Sequence, residues 1–126
     1  RSVQTLRLWG RALARLKVDE QANLVWTLLS RQDFLHAGAQ EPDLPDVIDE
    51  LIASSPHARV LALLYENDAS NVCVIVRAQR PLDAAMLCRG WSASGTREEV
   101  RLCVVKKNIV QVERELVEQI KERLKT

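Results

Sequence analysis

Two apolar runs, Arg59–Tyr65 (RVLALLY) and Asn71–Arg77 (NVCVIVR), decide the fold, and they flank the polar segment Glu66–Ser70 (ENDAS). Short runs rich in β-forming residues on either side of five turn-type residues predict a β-hairpin. Both runs are apolar almost throughout instead of alternating with polar residues. We therefore expect the hairpin to lie in the middle of a sheet whose two faces are both covered.

Strands and helices are predicted on both sides of this hairpin. Leu24–Leu29 (LVWTLL) and Val100–Val105 (VRLCVV) are the other two strand candidates. Helices are predicted over residues 2–16, 30–36, 42–53, 81–87 and 108–124 from apolar periodicity and capping residues. The fold class is therefore mixed α/β, with a central mixed sheet of about four to five strands flanked by helices.

The first helix shows apolar residues at three- and four-residue intervals, which predicts one buried stripe. This stripe consists of Val3, Leu6, Trp9, Leu13 and Leu16. A ridge of Arg7, Arg11 and Arg15 lies beside the stripe. We interpret the ridge as a solvated face, and the alternative is a basic edge that contacts phosphate.

The start of the second helix has a capping signature. Ser30 is in the N-cap position, and Asp33 follows three residues later, as in a capping box. The N-terminus of such a helix could bind an anion. Capping by the chain's own residues is the simpler interpretation.

Composition and charge exclude several function classes. The 126-residue chain has a formal net charge of +1 and only 4% aromatic residues. Duplex-DNA binders usually carry a basic excess, and base-stacking platforms need several exposed rings, so neither class fits. The longest apolar stretches are far shorter than the roughly 20 residues that span a bilayer, and no secretory signal is visible, so we expect no membrane association.

The cysteines Cys73, Cys88 and Cys103 are each fifteen residues apart, without a CxxC pair. This spacing argues against structural zinc, and the odd count in apolar surroundings predicts reduced thiols packed in the core of a cytoplasmic protein. The chain begins with Arg1, so we expect it to be a piece of a longer protein.

No motif for a nucleophile, a metal or a nucleotide-binding loop occurs, and His36 and His57 are isolated. We therefore predict no catalytic residue and no metal ligand in this chain. Two features invite a binding interpretation: Arg77 at the end of an apolar strand, and the small-residue loop 92–97 (SASGTR). An arginine fork and closely approaching backbone both suit phosphate, although each feature alone is also compatible with an ordinary surface.

The order of these segments resembles a known family. The segments are Leu8–Leu13 (LWGRAL), Leu24–Leu29, Arg31–Phe34 (RQDF), Val72–Arg77, Leu82–Ala85 (LDAA) and the small-residue loop. Together they resemble DHHA1, the C-terminal substrate-binding domain of DHH-family phosphoesterases. That family includes nanoRNase-type enzymes, RecJ-like single-strand exonucleases and exopolyphosphatase-related proteins. The similarity spans nearly the whole chain.

The resemblance implies a division of labour within a longer protein. In the family, an N-terminal DHH domain binds two divalent metals, usually manganese, and hydrolyses the phosphoester, while the accessory domain grips the substrate. Residues 1–18 would be the end of the interdomain helix, and residues 19–126 the substrate-binding domain. The implied parent is a manganese-dependent hydrolase, a phosphodiesterase or exonuclease, whose DHH catalytic domain partners this chain in cis. The chain itself is expected to hold no cofactor.

The resemblance also places the substrate-binding residues. The family's arginine at the end of a strand falls on Arg77, and its glycine-rich GGGH loop falls on residues 92–96. The implied set is Arg77, Ser94, Gly95, Thr96 and Arg97, and we expect these residues to converge on one face. Thr96 stands where the family has histidine, so phosphate binding is expected to be altered but retained. The implied ligands are short single-stranded nucleic acid, a nucleotide or another phosphoester. The alternative is a structural or oligomerisation module, such as a homodimer, that has lost ligand binding.

Overall fold

The computed structural model describes residues 1–125, in which a six-stranded sheet is flanked by helices on both faces. The strands are β1 (Lys17–Asp19), β2 (Leu24–Leu29), β3 (Val60–Glu66), β4 (Val72–Ala78), β5 (Ser94–Gly95) and β6 (Glu99–Val104). The helices are α1 (Val3–Ala14), α2 (Arg31–Ala37), α3 (Leu44–Ser54), α4 (Ala84–Leu87) and α5 (Ile109–Leu124), and a 3-10 turn, Glu41–Asp43, precedes α3. The mixed α/β class is confirmed. None of the helices in the described part of the chain is long and apolar enough to cross a membrane.

The strands lie in the order β1-β2-β3-β4-β6-β5. The hairpin predicted from the sequence is β3–β4, in which Leu63 lies opposite Ile75, and it occupies the two central positions. Strands β2 and β3 pair in parallel, and the other neighbouring pairs are antiparallel. The parallel pair is joined through α2 and α3, because a parallel connection needs a crossover.

Both faces of the central strands are buried, as their continuous apolar sequence predicted. Along β4, Val74 and Val76 enter a core shared with α4 and α5. Ile75, between them, enters a second core that contains residues of α1, α2 and α3. This alternation follows from the two-residue repeat of a strand, and it makes the domain a three-layer structure.

The sheet has six strands instead of the predicted four to five, because β1 and β5 have only three and two residues. Both are edge strands, and most of their residues are exposed. Pairing with a longer neighbour orders them, so a run of apolar residues is not required and no sequence pattern marks them.

The buried face of α1 differs from the predicted stripe. Leu8 and Ala12 are fully buried, whereas Val3, Leu6 and Leu13 are 58%, 45% and 37% exposed. The predicted stripe was therefore wrong for these three residues, although Trp9 and Leu16 do pack partly against the core. Apolar residues lie on both sides of this helix, so periodicity alone could not select the side that packs on the sheet.

The cysteine prediction was wrong for two of the three residues. Cys73 and Cys103 lie opposite each other on β4 and β6 and form a disulfide, with their Cα atoms 4.0 Å apart. Cys88 is the free, fully buried thiol that was expected. Only the strand register brings the first two cysteines together, because their separation of 30 residues carries no pairing signal.

Candidate functional site

Arg77 lies near the end of β4, and the strand register determines what surrounds it. Its cross-strand partner is Glu99 on β6, and Arg77 Nε donates a hydrogen bond of 2.6 Å to Glu99 Oε1. A second carboxylate, Asp49 of α3, lies 3.6 Å from Arg77 Nη1. The guanidinium is thus held between two acidic side chains while 35% of the side chain stays exposed.

Glu99 is the ionised partner that orients this arginine. Burial by itself raises the pKa of Glu99, but the hydrogen bond from Arg77 and the positive charges of Arg77 and Arg101 outweigh it. The pKa of Glu99 is therefore held below its ordinary value. A charged Glu99 keeps Arg77 at the end of the strand and leaves its remaining N–H groups for another acceptor.

The small-residue loop forms the other side of this region. Ser94 and Gly95 make β5, which pairs with β6 at the edge of the sheet. Gly95 has φ +140°, and a Cβ atom there would overlap the carbonyl oxygen of Glu99 and lie 2.9 Å from Val100 Cα. The close approach of the β6 backbone therefore requires glycine at this position.

Thr96 closes the turn between β5 and β6. Its backbone N–H donates to the carbonyl of Glu99 at 2.8 Å. Its hydroxyl oxygen accepts hydrogen bonds from the backbone N–H groups of Glu98 and Glu99, both at 3.2 Å. The hydroxyl oxygen of Thr96 therefore serves the turn, and its proton remains free to be donated to a ligand.

The register connects the loop to Arg77. Glu99 on β6 lies opposite Arg77 of β4, and its backbone carbonyl accepts the N–H of Thr96 on its other flank. The three residues therefore form one row across the end of the sheet. Arg97, at the next position, is 80% exposed and lies 3.6 Å from Asp83. The structure thus brings Arg77 and the Ser94–Arg97 loop to the same end of the sheet.

Two arginines that the sequence reasoning missed also lie at this end. A cleft of about 360 Å³ is lined by Arg59, Arg77 and Arg80, together with the apolar side chains of Ile52 and Leu61. Antiparallel pairing places the start of β3 beside the end of β4, and the N–H of Gln79 donates to the carbonyl of Arg59 at 2.9 Å. The 18 residues that separate Arg59 from Arg77 concealed this proximity.

The arginines around the cleft differ in how far carboxylates neutralise them. Arg80 pairs with Glu98 at 3.2 Å, but both side chains are largely exposed, so this ion pair is weak. Arg59 has no ion-pair partner among residues 1–125. A neighbouring hollow of about 330 Å³ is lined by Arg80, Arg97 and Glu98. Four arginines therefore line two adjoining depressions.

The other two anion-site hypotheses are resolved by Asp33. This carboxylate is 1% exposed, accepts from the Ser30 N–H at 2.7 Å, and forms ion pairs with Arg11 and Arg15. The capping interpretation of α2 is confirmed, because the chain's own carboxylate occupies the helix N-terminus. The solvated-face interpretation of the α1 ridge holds only in part for Arg11 and Arg15, whose side chains stay 39% and 46% exposed but also form ion pairs with the buried Asp33.

The same contacts determine the charge state of Asp33. Burial by itself raises the pKa of Asp33, but the hydrogen bonds from Ser30, Arg15 and Arg11 outweigh it. Its pKa therefore lies below the ordinary value, and the buried group is ionised at neutral pH.

Within residues 1–125 no group of three or more His, Cys, Asp or Glu side chains is arranged to hold a metal ion. His36 lies in α2 and His57 in the turn between α3 and β3, and both are exposed. The metal centre that the family resemblance implies is assigned to the DHH domain and not to this chain, so no residue here is assigned as its ligand.

Comparisons with known proteins identify the fold. No protein-family model matches the chain, and no curated protein matches its sequence. Among solved structures, an exopolyphosphatase-related protein from Bacteroides fragilis matches 100% of the chain with a TM-score of 0.82 at 18% identity. A pGpG-specific phosphodiesterase from Vibrio cholerae matches 94% of the chain with a TM-score of 0.67 at 15% identity. A manganese-bound exonuclease RecJ matches 98% of the chain with a TM-score of 0.64 at 11% identity.

The matched region is a minority of each of these proteins, because the chain covers 37%, 39% and 28% of their respective lengths. At identities of 11–18%, the likeness to these three proteins shows the fold alone. The chain therefore has the fold of the matched part of these proteins, and this fold fits the DHH-associated domain that the sequence resembles.

Proposed function

We propose that this chain is the accessory substrate-binding domain of a metal-dependent DHH phosphoesterase. It grips the phosphate end of a short single-stranded oligonucleotide, a nucleotide or a related phosphoester. The observation that carries the proposal is the cleft in which Arg59, Arg77 and Arg80 converge at the end of the sheet. The fold supports it, since the similar proteins are an exopolyphosphatase-related protein, a phosphodiesterase and an exonuclease.

The chemistry of the cleft suits a phosphate group with an organic body. Guanidinium groups donate to phosphate oxygens in a planar fork, and each charge-assisted hydrogen bond contributes about 1.5–3 kcal/mol. Arg59 has no competing carboxylate, whereas Arg77 is already oriented by Glu99. Ile52 and Leu61 provide an apolar wall for the sugar or base of the ligand.

Hydrolysis is assigned to an N-terminal DHH catalytic domain in cis. That domain would hold the divalent metal, which the resemblance implies to be manganese and which would activate water there. The residues of this chain would only bind the substrate and orient its phosphate, and they would take no part in holding the metal or activating water.

Titration of the purified chain with a 5′-phosphorylated dinucleotide and with inorganic tripolyphosphate, followed by calorimetry, tests the proposal. Arg59→Gln is the primary variant, because it removes a guanidinium without breaking an ion pair of the fold. We expect it to weaken binding by about tenfold or more. Arg7→Gln is the matched control, since Arg7 lies on the exposed side of α1, and it should leave the affinity unchanged.

Equal affinities of the two variants would refute the cleft as the binding site. Binding of tripolyphosphate in preference to the dinucleotide would identify a polyphosphate ligand within the same proposal. Absence of binding by the unmutated chain to either ligand would refute the accessory role.

A second candidate function, oligomerisation, is favoured by the outer face of α1. Val3, Leu6 and Leu13 are exposed there despite being apolar. As a structural module, the chain would form a homodimer through this face. Light scattering at micromolar concentrations should then detect a dimer that Leu6→Lys dissociates, and a monomer at every concentration would exclude this function.

A further inference from the structure

The Cys73–Cys103 disulfide lies at the boundary between a covered and an uncovered part of the sheet. On the face of the sheet that carries both cysteines, residues of α1, α2 and α3 share a core with β2, β3 and β4. The neighbouring positions of β6, Arg101 and Cys103, are exposed. The two sulfur atoms of one bond therefore have different surroundings.

This difference determines which sulfur can be attacked. Cys73 is 2% exposed and belongs to the core that contains Ile75 and Tyr65. Cys103 faces solvent on the uncovered part of β6. Thiol–disulfide exchange requires a thiolate to approach one sulfur, so access favours attack at Cys103 and departure of Cys73.

A polar group is positioned to stabilise the departing sulfur. The side-chain amide of Asn67, in the turn between β3 and β4, donates a hydrogen bond of 3.5 Å to Cys73 Sγ. The amide oxygen of Asn67 accepts from the backbone N–H groups of Ala69 and Asn71, both at 3.0 Å. These two bonds orient the amide so that its NH₂ group points to the sulfur. A donor at this position opposes the rise in thiol pKa that burial causes, so the leaving thiol departs faster than it would without the donor.

We propose that the Cys73–Cys103 disulfide is a thiol-exchange site, reduced by small thiols through attack on Cys103 Sγ. The attacking thiolate forms a mixed disulfide with Cys103, and the electron pair of the broken S–S bond leaves on Cys73 Sγ, which then takes up a proton. A second thiolate attacks the reductant's sulfur in the mixed disulfide and releases Cys103, which is protonated in turn. Two thiols are thus oxidised to one disulfide while the two cysteines are reduced.

The fold is expected to survive this reaction. Strands β4 and β6 pair over six residues, from Val72 opposite Val104 to Arg77 opposite Glu99, and this pairing does not depend on the sulfur bond. A reduced Cys73 is a small apolar side chain that suits its buried position. Cys88 is a bystander, because it is fully buried and burial raises its pKa to about 11.

Reduction of the folded chain, followed by thiol labelling and mass spectrometry, tests the proposal. Unfolding without reductant should expose one titratable thiol, that of Cys88, and unfolding after reduction should expose three. Brief exposure to glutathione followed by acid quenching should leave the glutathione adduct on the peptide that contains Cys103. Circular dichroism should show that the reduced chain keeps its secondary structure.

Matched variants separate the role of Asn67 from that of charge. Asn67→Asp keeps the oxygen that accepts from Ala69 and Asn71, and it replaces the NH₂ donor. Reduction by 2-mercaptoethanol, whose attacking thiolate carries no charge besides that of its sulfur, should then slow by about threefold, because the leaving thiol has a higher pKa. Asn71→Asp places the same charge in the same turn without removing the donor to sulfur, and it should leave the rate unchanged.

Any of four results would overturn the proposal or the role that it gives to Asn67. Three titratable thiols in the unreduced, unfolded chain would show that no disulfide is present. An adduct on Cys73 would reverse the assigned direction of attack. A reduction rate that tracks global unfolding in denaturant would show that the folded disulfide is inaccessible, and equal rates for the two aspartate variants would remove the role of Asn67.

Discussion

Replacement of Gly95 by alanine is expected to destabilise the candidate site through a steric conflict that can be calculated from its neighbours. The backbone of Gly95 has φ +140°, and an added Cβ would overlap the carbonyl oxygen of Glu99. Neither the backbone conformation nor the β6 strand can adjust while β5 stays paired. The least costly response is therefore detachment of β5 from β6.

The cost of detachment sets the magnitude. Two residue pairs, Ser94 with Arg101 and Gly95 with Val100, join β5 to β6. Detachment also loses the bond from the Thr96 N–H to Glu99. At about 1 kcal/mol for each backbone hydrogen bond lost, Gly95→Ala should lower the free energy of unfolding by about 2–3 kcal/mol. The Thr96 N–H, which donates to Glu99, should lose its protection from hydrogen exchange.

Two other glycines provide matched controls. Gly90 also has a positive φ, +97°, but a Cβ there meets nothing within 4 Å, so Gly90→Ala should cost only the backbone strain of about 1 kcal/mol. Gly10 lies within α1 in open space, and Gly10→Ala should stabilise the chain by about 0.5–1 kcal/mol. Urea denaturation gives the three free energies, and NMR hydrogen exchange reports the Thr96 amide. Equal destabilisation by Gly95→Ala and Gly90→Ala, with Thr96 still protected, would refute the steric argument.

Further predictions concern buried groups. Asp33→Asn should lower the free energy of unfolding by about 2 kcal/mol at neutral pH, because the arginine partners are half-exposed and screening reduces their contribution. The folded-state pKa of Asp33 is depressed, so this stabilisation is fully present above the unfolded-state pKa of ~3.9 and is lost as the pH falls through the folded-state value. Denaturation curves from pH 7 to pH 2 should therefore show that the unfolding free energies of the variant and the unmutated chain converge. Leu8→Ala should cost about 3 kcal/mol and Leu6→Ala less than about 0.5 kcal/mol, which urea denaturation would check, and a reversal would contradict the observed orientation of α1.

The site was predictable in part. Arg77 and the Gly95 loop were predicted because an arginine at the end of an apolar strand and a run of small residues are local features of the sequence. Arg59 and Arg80 were missed, since their part in the cleft depends on the pairing of β3 with β4 and on the packing of α3. Thr96 was expected only to replace a histidine, whereas the structure shows that its hydroxyl oxygen accepts two backbone N–H groups of the turn.

By itself, the sequence determined the central hairpin, the mixed α/β class and the cap of α2. Each of these is marked by a pattern within a short segment, namely apolar runs around turn residues, apolar periodicity, or a capping residue at the right spacing. The tertiary structure decided which side of α1 is buried, that Cys73 faces Cys103, and that Arg59 lies beside Arg77. Each of these depends on register and packing between segments distant in sequence, and apolar periodicity reports only that a segment has a face to bury. For the same reason the β3–β4 hairpin could be predicted from its own residues, whereas the chemistry at its end depends on the strands and helices around it.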